Sequence, residues 1–131
     1  MPRGAGTGLS GGALGDDIIV VGLHRLKKVI SLDIENRRAT VEPGVVNLRL
    51  NRYVAPHGLL YAPDPSSEAA CTIGGNVAEN AGGPRALKYG VTRDYVIGLE
   101  WVLPDGEILQ VGRRTIKGVA GYDLVGLFVG S

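Results

Sequence analysis

Two stretches of this chain are so rich in glycine that they limit what the rest can become. The first, "PRGAGTGLSGG" at residues 2–12, sets five glycines among Thr7 and Ser10 with one arginine and no acid. The second, "TIGGNVAENAGG" at residues 72–83, carries four more. Glycine reaches positive φ and lets a partner approach the main chain closely. A run of accessible backbone N–H groups is also what an anionic phosphate needs for a cradle. Each stretch alone could equally be a flexible connector or a pair of tight turns. Two in one small chain, both bearing small hydroxyl and amide side chains, predict loops that grip the ends of one elongated, phosphate-containing ligand.

Residues 6–11, "GTGLSG", match the dinucleotide pattern G-x-G-x-x-G letter for letter. That pattern needs a strand before it and a helix opening from it. Here almost nothing precedes the loop, and Gly12 to Asp17 lead into an extended run, so the Rossmann reading fails on context. A P-loop fails too, because Gly-Lys-Ser/Thr occurs nowhere. In the second cluster, Gly74-Gly75 before "NVAENA" reads as the opening of a short helix, whose exposed N–H groups would favour an anion.

At 131 residues the chain is one domain, with a core but little room for more. Its 44% hydrophobic and 21% charged residues are ordinary for a soluble globular protein. A net charge of +1, with Lys27-Lys28 and Arg37-Arg38 as scattered solvated charges, argues against nucleic acid. The single cysteine, Cys71, excludes an internal disulfide framework and suits a reducing compartment. No apolar run reaches transmembrane length and no signal peptide precedes the glycines, so the expectation is a soluble, cytoplasmic protein without metal ligands. Both ends read as cut. Met1 alone lies before the first loop, and "DLVGLFVGS" stops after an apolar stretch; a piece of a longer protein is expected.

Along the chain, "DDIIVVGL" (Asp16–Leu23) reads as a buried strand, although Ile18–Val21 would become an exposed edge if an upstream element is missing. Val29–Asp33 and Ala39–Glu42 alternate around a polar turn at residues 35–38 and predict a hairpin. Val46, Leu48, Leu50, Tyr53 and Val54 fit one helical face, ended by Pro56 and Gly58. Residues 61–83 form a long Pro-, Gly-, Ser- and Asn-rich stretch of the kind that is usually functional. "YVIGLEWVLPDGEILQVG" predicts a second hairpin around Pro-Asp-Gly. The class is α+β.

Three segments, "PRGAGTGLSGG", "PDPSSEAACTIGGNVAENAGGPRALKYGVTRDYVIGLEWVLPDGE" and "KGVAGYDLVGLFVGS", together resemble the FAD-binding domain of the vanillyl-alcohol oxidase/p-cresol methylhydroxylase (PCMH) flavoprotein superfamily. They are most similar to its D-2-hydroxy-acid dehydrogenase branch, which includes the glycolate oxidase flavin subunit and D-lactate dehydrogenases. The resemblance covers nearly the whole chain. It implies a two-subdomain PCMH-type fold over residues 1–131, partial at both ends, with the N-terminal βαβ element incomplete. It implies that Arg3, Gly4, Gly6, Thr7, Gly8 and Ser10 meet the FAD pyrophosphate. Pro63 to Ser67, Ser66 included, would lie by the flavin, with Thr72, Gly74, Gly75 and Asn76 adding backbone and hydroxyl contacts. Asn80 and Gly82-Gly83 would continue that wall, while Gly90, Thr92, Val96 and Ile97 would approach the diphosphate or adenosine end.

The implied activity is oxidation of a small D-2-hydroxy acid such as glycolate or D-lactate, with an iron–sulfur electron-transfer subunit as a partner of the parent enzyme. Catalytic residues lie in family segments that this chain lacks, so none is assigned. Some relatives attach FAD through a histidine near the glycine loop; this loop has none, which implies non-covalent FAD. His24 and His57 read as surface or capping residues, Cys71 as a small buried filler, and Asp123 as a helix N-cap. Two rival readings stay open: a non-catalytic nucleotide-binding remnant, and a flavin reductase related to UDP-N-acetylmuramate reductase. "NVAENAGG" and "KGVAGYDL" favour the hydroxy-acid branch over the latter.

Overall fold

The computed structural model describes residues 1–112 and 121–131. The first glycine stretch is anchored by a two-residue strand, Pro2–Arg3 (β1), which pairs in parallel with Val21–Gly22 (β2). The loop therefore does have a strand before it, yet no helix opens from it. The expected buried strand at Asp16–Leu23 is corrected here. Only its end joins a ladder, Ile19 is 84% exposed, and Val21 is 54% exposed. Parallel pairs are normally covered on both faces, and no described element covers this one.

Val29–Asp33 (β3) and Arg38–Val41 (β4) form the expected hairpin, within one residue at its far strand. Its turn is organised by the Asp33 carboxylate, which accepts from Asn36 N at 3.0 Å, Asn36 Nδ2 at 2.9 Å and Arg38 Nη2 at 3.0 Å. Arg38 is thus an ion-pair partner and not simply a solvated charge. The Asn36 N–H, then the Asn36 amide, then Arg38 hold the Asp33 carboxyl below its ordinary value of 3.8, against slight desolvation. With a depressed folded-state pKa, this contribution is complete above the unfolded value and is lost as pH falls through the folded one. An NMR titration should therefore place the Asp33 midpoint below 3.8; a midpoint at or above that value would remove the carboxylate from the turn.

The next helix, Asn47–Val54 (α1), ends as expected in a tight turn through Pro56 to Gly58, where Gly58 takes φ +69°. Its inward stripe is Asn47, Leu50, Asn51 and Val54, at the i, i+3, i+4, i+7 spacing. Tyr53, expected on that face, is half exposed because the two asparagines share the stripe. They have a purpose there. Asn47 Nδ2 donates to Pro63 O at 3.0 Å. The Asn51 side chain accepts from Tyr61 N at 2.8 Å and donates to Tyr61 O at 3.1 Å, so α1 pins the start of the long loop.

Ile73–Glu79 (α2) follows, capped by Thr72, and then Ala86–Tyr89 (α3). Gly98–Val102 (β5) and Ile108–Gly112 (β6) make the second expected hairpin, closed through the Pro-Asp-Gly turn with Gly106 at φ +87°. Leu124–Phe128 (α4) is capped as expected by Asp123, whose carboxylate accepts from Gly126 N at 3.0 Å. The Lys117–Ala120 part of the "KGVAGYDL" segment lies outside the described residues.

Two apolar clusters hold these parts together. Val45, Leu50 and Val54 gather Leu32, Val41, Leu59, Tyr61 and Ile73 around α1. Val77, Val125 and Val129 gather Val96, Leu99 and Val111 where α4 meets the second hairpin. Helix α2 belongs to both, through Ile73 to the first and Val77 to the second. A seven-residue helix is marginal by itself; this one is clamped from two sides, and its remaining face is free for something else.

Candidate functional site

That remaining face carries Thr72, Gly75, Asn76 and Glu79, again spaced i, i+3, i+4, i+7. Across from it runs the first glycine loop, and between them lies a cleft of about 430 Å³, within the size range of small-ligand sites. The approach is close at Gly4: a Cβ there would stand 2.5 Å from Thr72 Oγ1. Further along, Ser10 Oγ donates to Glu79 Oε2 at 2.8 Å. Both glycine clusters thus form one site, although they are far apart in sequence.

Of the residues expected to touch the cofactor, the cleft brings together Arg3, Gly4, Gly6, Thr7, Gly8, Ser10, Ser66, Thr72, Gly75, Asn76 and Gly82. Pro63, Gly74, Asn80, Gly90, Thr92, Val96 and Ile97 stand outside it. What these do in the structure is hold the frame. Pro63 O is the acceptor for Asn47. Gly74 packs on Pro43, whose Cβ would lie 2.6 Å from a Cβ at Gly74. Asn80 ends α2 in the left-handed region at φ 49° and accepts from Arg93 N at 2.9 Å. Thr92 is fully buried and its hydroxyl donates to Ala81 O at 2.7 Å. A side chain at Gly90, which has φ +83°, would collide with the Asp94 carboxylate that caps the next turn. Val96 packs in the second apolar cluster, and Ile97 is half-buried at the foot of β5.

The helix start is also not the anion trap expected from the paired glycines. Ile73 N donates to Val45 O and Gly74 N to Pro43 O, both at 2.8 Å; Gly75 N donates to Thr72 Oγ1 at 3.2 Å. Those donors are spent. The first loop is the opposite case. Among the described residues, no backbone N–H from Gly4 to Ala13 donates to a protein acceptor. Beside them the Arg3 guanidinium folds back over Gly6, with Nη2 2.6 Å from where a Cβ on Gly6 would sit, and it forms no ion pair among the described residues. Free amides plus a cation make a site for an anion.

At the other wall, Asn76 is 2% exposed and its Nδ2 has no hydrogen-bond partner among the described residues. Burial pushes the nearby Tyr61 hydroxyl pKa up, and the neighbouring Thr92 and Asn76 side chains offset part of that push, although no contact to Asn76 Nδ2 reaches hydrogen-bond geometry among the described residues. A buried donor left unpaired costs free energy, and this one lines the cleft, where a bound molecule can supply its acceptor. Cys71 lines the cleft as well. Burial pushes its thiol pKa up, opposed by Ser67 and Asn76, so it is a poor nucleophile. His24 and His57 are exposed and outside the cleft.

Sequence reasoning missed Glu79. The signal was present: it falls seven residues after Thr72, on the same helical face as Gly75 and Asn76.

A cleft with free loop amides, a cation and an orphaned buried donor fits an extended phosphate-bearing cofactor. Residues 1–112 match the family model described as FAD binding domain. The chain belongs to this FAD-binding domain family. Glycolate oxidase subunit GlcD of Bacillus subtilis (strain 168) is 54% identical over 132 residues, covering 100% of this chain and 28% of that protein. D-lactate dehydrogenase of Archaeoglobus fulgidus is 48% identical over 130 residues, 98% of this chain and 29% of that one. The FAD-binding domain also superposes on alkyldihydroxyacetonephosphate synthase with a TM-score of 0.81 at 24% identity, over 99% of this chain and 24% of that structure. At that identity the likeness establishes the fold, the expected α+β arrangement of PCMH type. The chain spans about a quarter of the length of each of these proteins. Among the described residues, no helix is long and apolar enough to cross a membrane.

Proposed function

We propose that residues 1–131 are the FAD-holding unit of a flavin-dependent oxidoreductase that oxidises a D-2-hydroxy acid such as glycolate or D-lactate. The observation that carries the reading is the cleft between the first glycine loop and α2, where free amides face an unpaired buried donor. Arg3 and the N–H groups of Gly4, Gly6, Thr7 and Gly8 hold the diphosphate. Thr72 and Gly75 leave room for the cofactor against α2, and Asn76 Nδ2 donates to an acceptor atom on it. Ser66 and Gly82 complete the walls. The frame residues Pro63, Gly74, Asn80, Gly90, Thr92, Val96 and Ile97 keep those walls in register. A bound flavin would supply two-electron oxidation of the substrate alcohol to a carbonyl, accepting the hydride from carbon while the hydroxyl proton is released. What this chain contributes is binding, orientation and exclusion of water from that face.

The relatives named as glycolate oxidase subunit and D-lactate dehydrogenase support the substrate class. The word subunit supports a multi-chain parent, for which we propose an iron–sulfur partner as electron acceptor. A lone, buried cysteine supports a cytoplasmic setting.

Attachment is non-covalent in this reading, because neither histidine lines the cleft and the one thiol that does is held protonated by burial. Acid precipitation of the full-length, FAD-loaded protein should leave the flavin in the supernatant. Flavin that stays with the pellet would overturn the claim. The broader test is anaerobic addition of glycolate and D-lactate to that protein: bleaching of the flavin absorbance by either supports the reading, and none with any D-2-hydroxy acid sinks the substrate class.

A further inference from the structure

We propose that Glu79 tunes how tightly the cleft holds a diphosphate, through two effects of opposite sign on the same loop. The proposal rests on the reading of the cleft as an FAD site. Glu79 closes α2 and points the site's single acid at the glycine loop. Its Oε2 accepts from Ser10 Oγ at 2.8 Å, and its Oε1 stands 3.1 Å from where a Cβ on Gly8 would be and 3.4 Å from the same position on Gly12. Among the described residues, no other side-chain hydrogen bond joins residues 4–13 to the rest of the chain. The Ser10–Glu79 contact is therefore the tether that makes a wall out of a run of glycines. Without it, more backbone freedom must be lost when a ligand binds.

The same carboxylate is a resident anion. It stands beside Gly8 and Gly12 of a loop whose N–H groups have no protein acceptor among the described residues, and a diphosphate entering the loop meets its charge. The charge belongs to Glu79 alone, whereas the tether also needs the Ser10 hydroxyl, so substitution can separate them. Glu79→Gln keeps an oxygen to accept from Ser10 and removes the charge. Ser10→Ala keeps the charge and removes the tether. Both side chains are exposed, so neither change disturbs an apolar cluster.

The test is titration of the full-length apoprotein with FAD and, separately, with riboflavin, which lacks phosphate, following flavin fluorescence. For Glu79→Gln we expect FAD affinity to rise about three- to tenfold at low ionic strength, shrinking as salt screens the charge. Its riboflavin affinity should match that of the unaltered protein. For Ser10→Ala we expect FAD affinity to fall about fivefold, the loss of one charge-assisted hydrogen bond, with little dependence on salt. A Glu79→Gln protein no tighter than the parent for FAD, or equally tighter for riboflavin, overturns the repulsion. A Ser10→Ala protein that binds FAD like the parent overturns the tether. An unaltered protein that takes up no FAD refutes the cofactor reading itself, a result distinct from either.

Discussion

Gly74→Ala and Gly75→Val, changes at adjacent residues, should damage the protein in different ways. A Cβ at Gly74 would stand 2.6 Å from Pro43 Cβ and 3.1 Å from Pro43 O. Backbone cannot retreat as a flexible side chain can, and Gly74 N is already bound to that same carbonyl. The expected result is a loss of about 1–3 kcal/mol of stability, the usual range for overpacking, with FAD uptake normal wherever the protein stays folded. Gly75 faces the cleft. A Cβ there meets only Thr72 Oγ1, at 3.2 Å, so the helix tolerates a side chain while the ligand space does not. Gly75→Val should leave the melting temperature within a few degrees of the parent and weaken FAD at least about tenfold, or about 1.4 kcal/mol. Cys71→Ser, nearly isosteric, should retain FAD. Thermal melts and flavin content of the purified full-length variants decide it. Equal FAD content in Gly75→Val and Cys71→Ser would count against the cleft as the cradle, and a Gly74→Ala protein as stable as the parent would remove the packing argument.

The second large effect concerns the 131-residue chain purified alone. Its accessible surface is 9281 Å², whereas a compact monomer of 13.7 kDa exposes about 6,600 Å². The excess is apolar in part. Leu9, Leu14, Ile19, Leu87 and Tyr122 are each at least three-quarters exposed. Arg3, Leu14, Ile18, Ile19 and Val20 line an open recess of about 650 Å³ beside the uncovered edge of β1 and β2. An uncovered apolar edge of this kind invites association. Those parts of the glycine loop that β1 and the Ser10–Glu79 contact do not hold must also be ordered as FAD binds, at a cost of roughly 1–2 kcal/mol for each backbone residue fixed. We therefore expect the isolated chain to sediment as oligomers or aggregates, to melt without a sharp transition, and to bind FAD far more weakly than the full-length protein. Sedimentation velocity, a thermal melt and an FAD titration on one preparation test this together. A monodisperse chain with submicromolar FAD affinity would show that the 131 residues are a self-sufficient module.

Much of the frame was legible in the amino-acid order because it is local. Both hairpins follow from alternating apolar residues on either side of a polar turn. The end of α1 follows from Pro56 and Gly58, and the start of α4 from Asp123; each depends on neighbours within a few positions. The glycine clusters announced a phosphate-binding chain for a similar reason, since backbone freedom is a property of the residue itself. Tertiary structure decided what each glycine is for. Periodicity shows that Gly74 and Gly75 point different ways, but not that Pro43 waits on one side and the cleft on the other. The N–H groups at the start of α2 looked free until carbonyls at Pro43 and Val45 were brought against them. The buried-strand reading of Asp16–Leu23 failed because apolar residues become buried only where another element covers them. Glu79 gained its part in the site from Ser10, 69 residues earlier in the chain. A contact at that distance in sequence is set by how α2 is clamped between two apolar clusters, and no local pattern of residues encodes it.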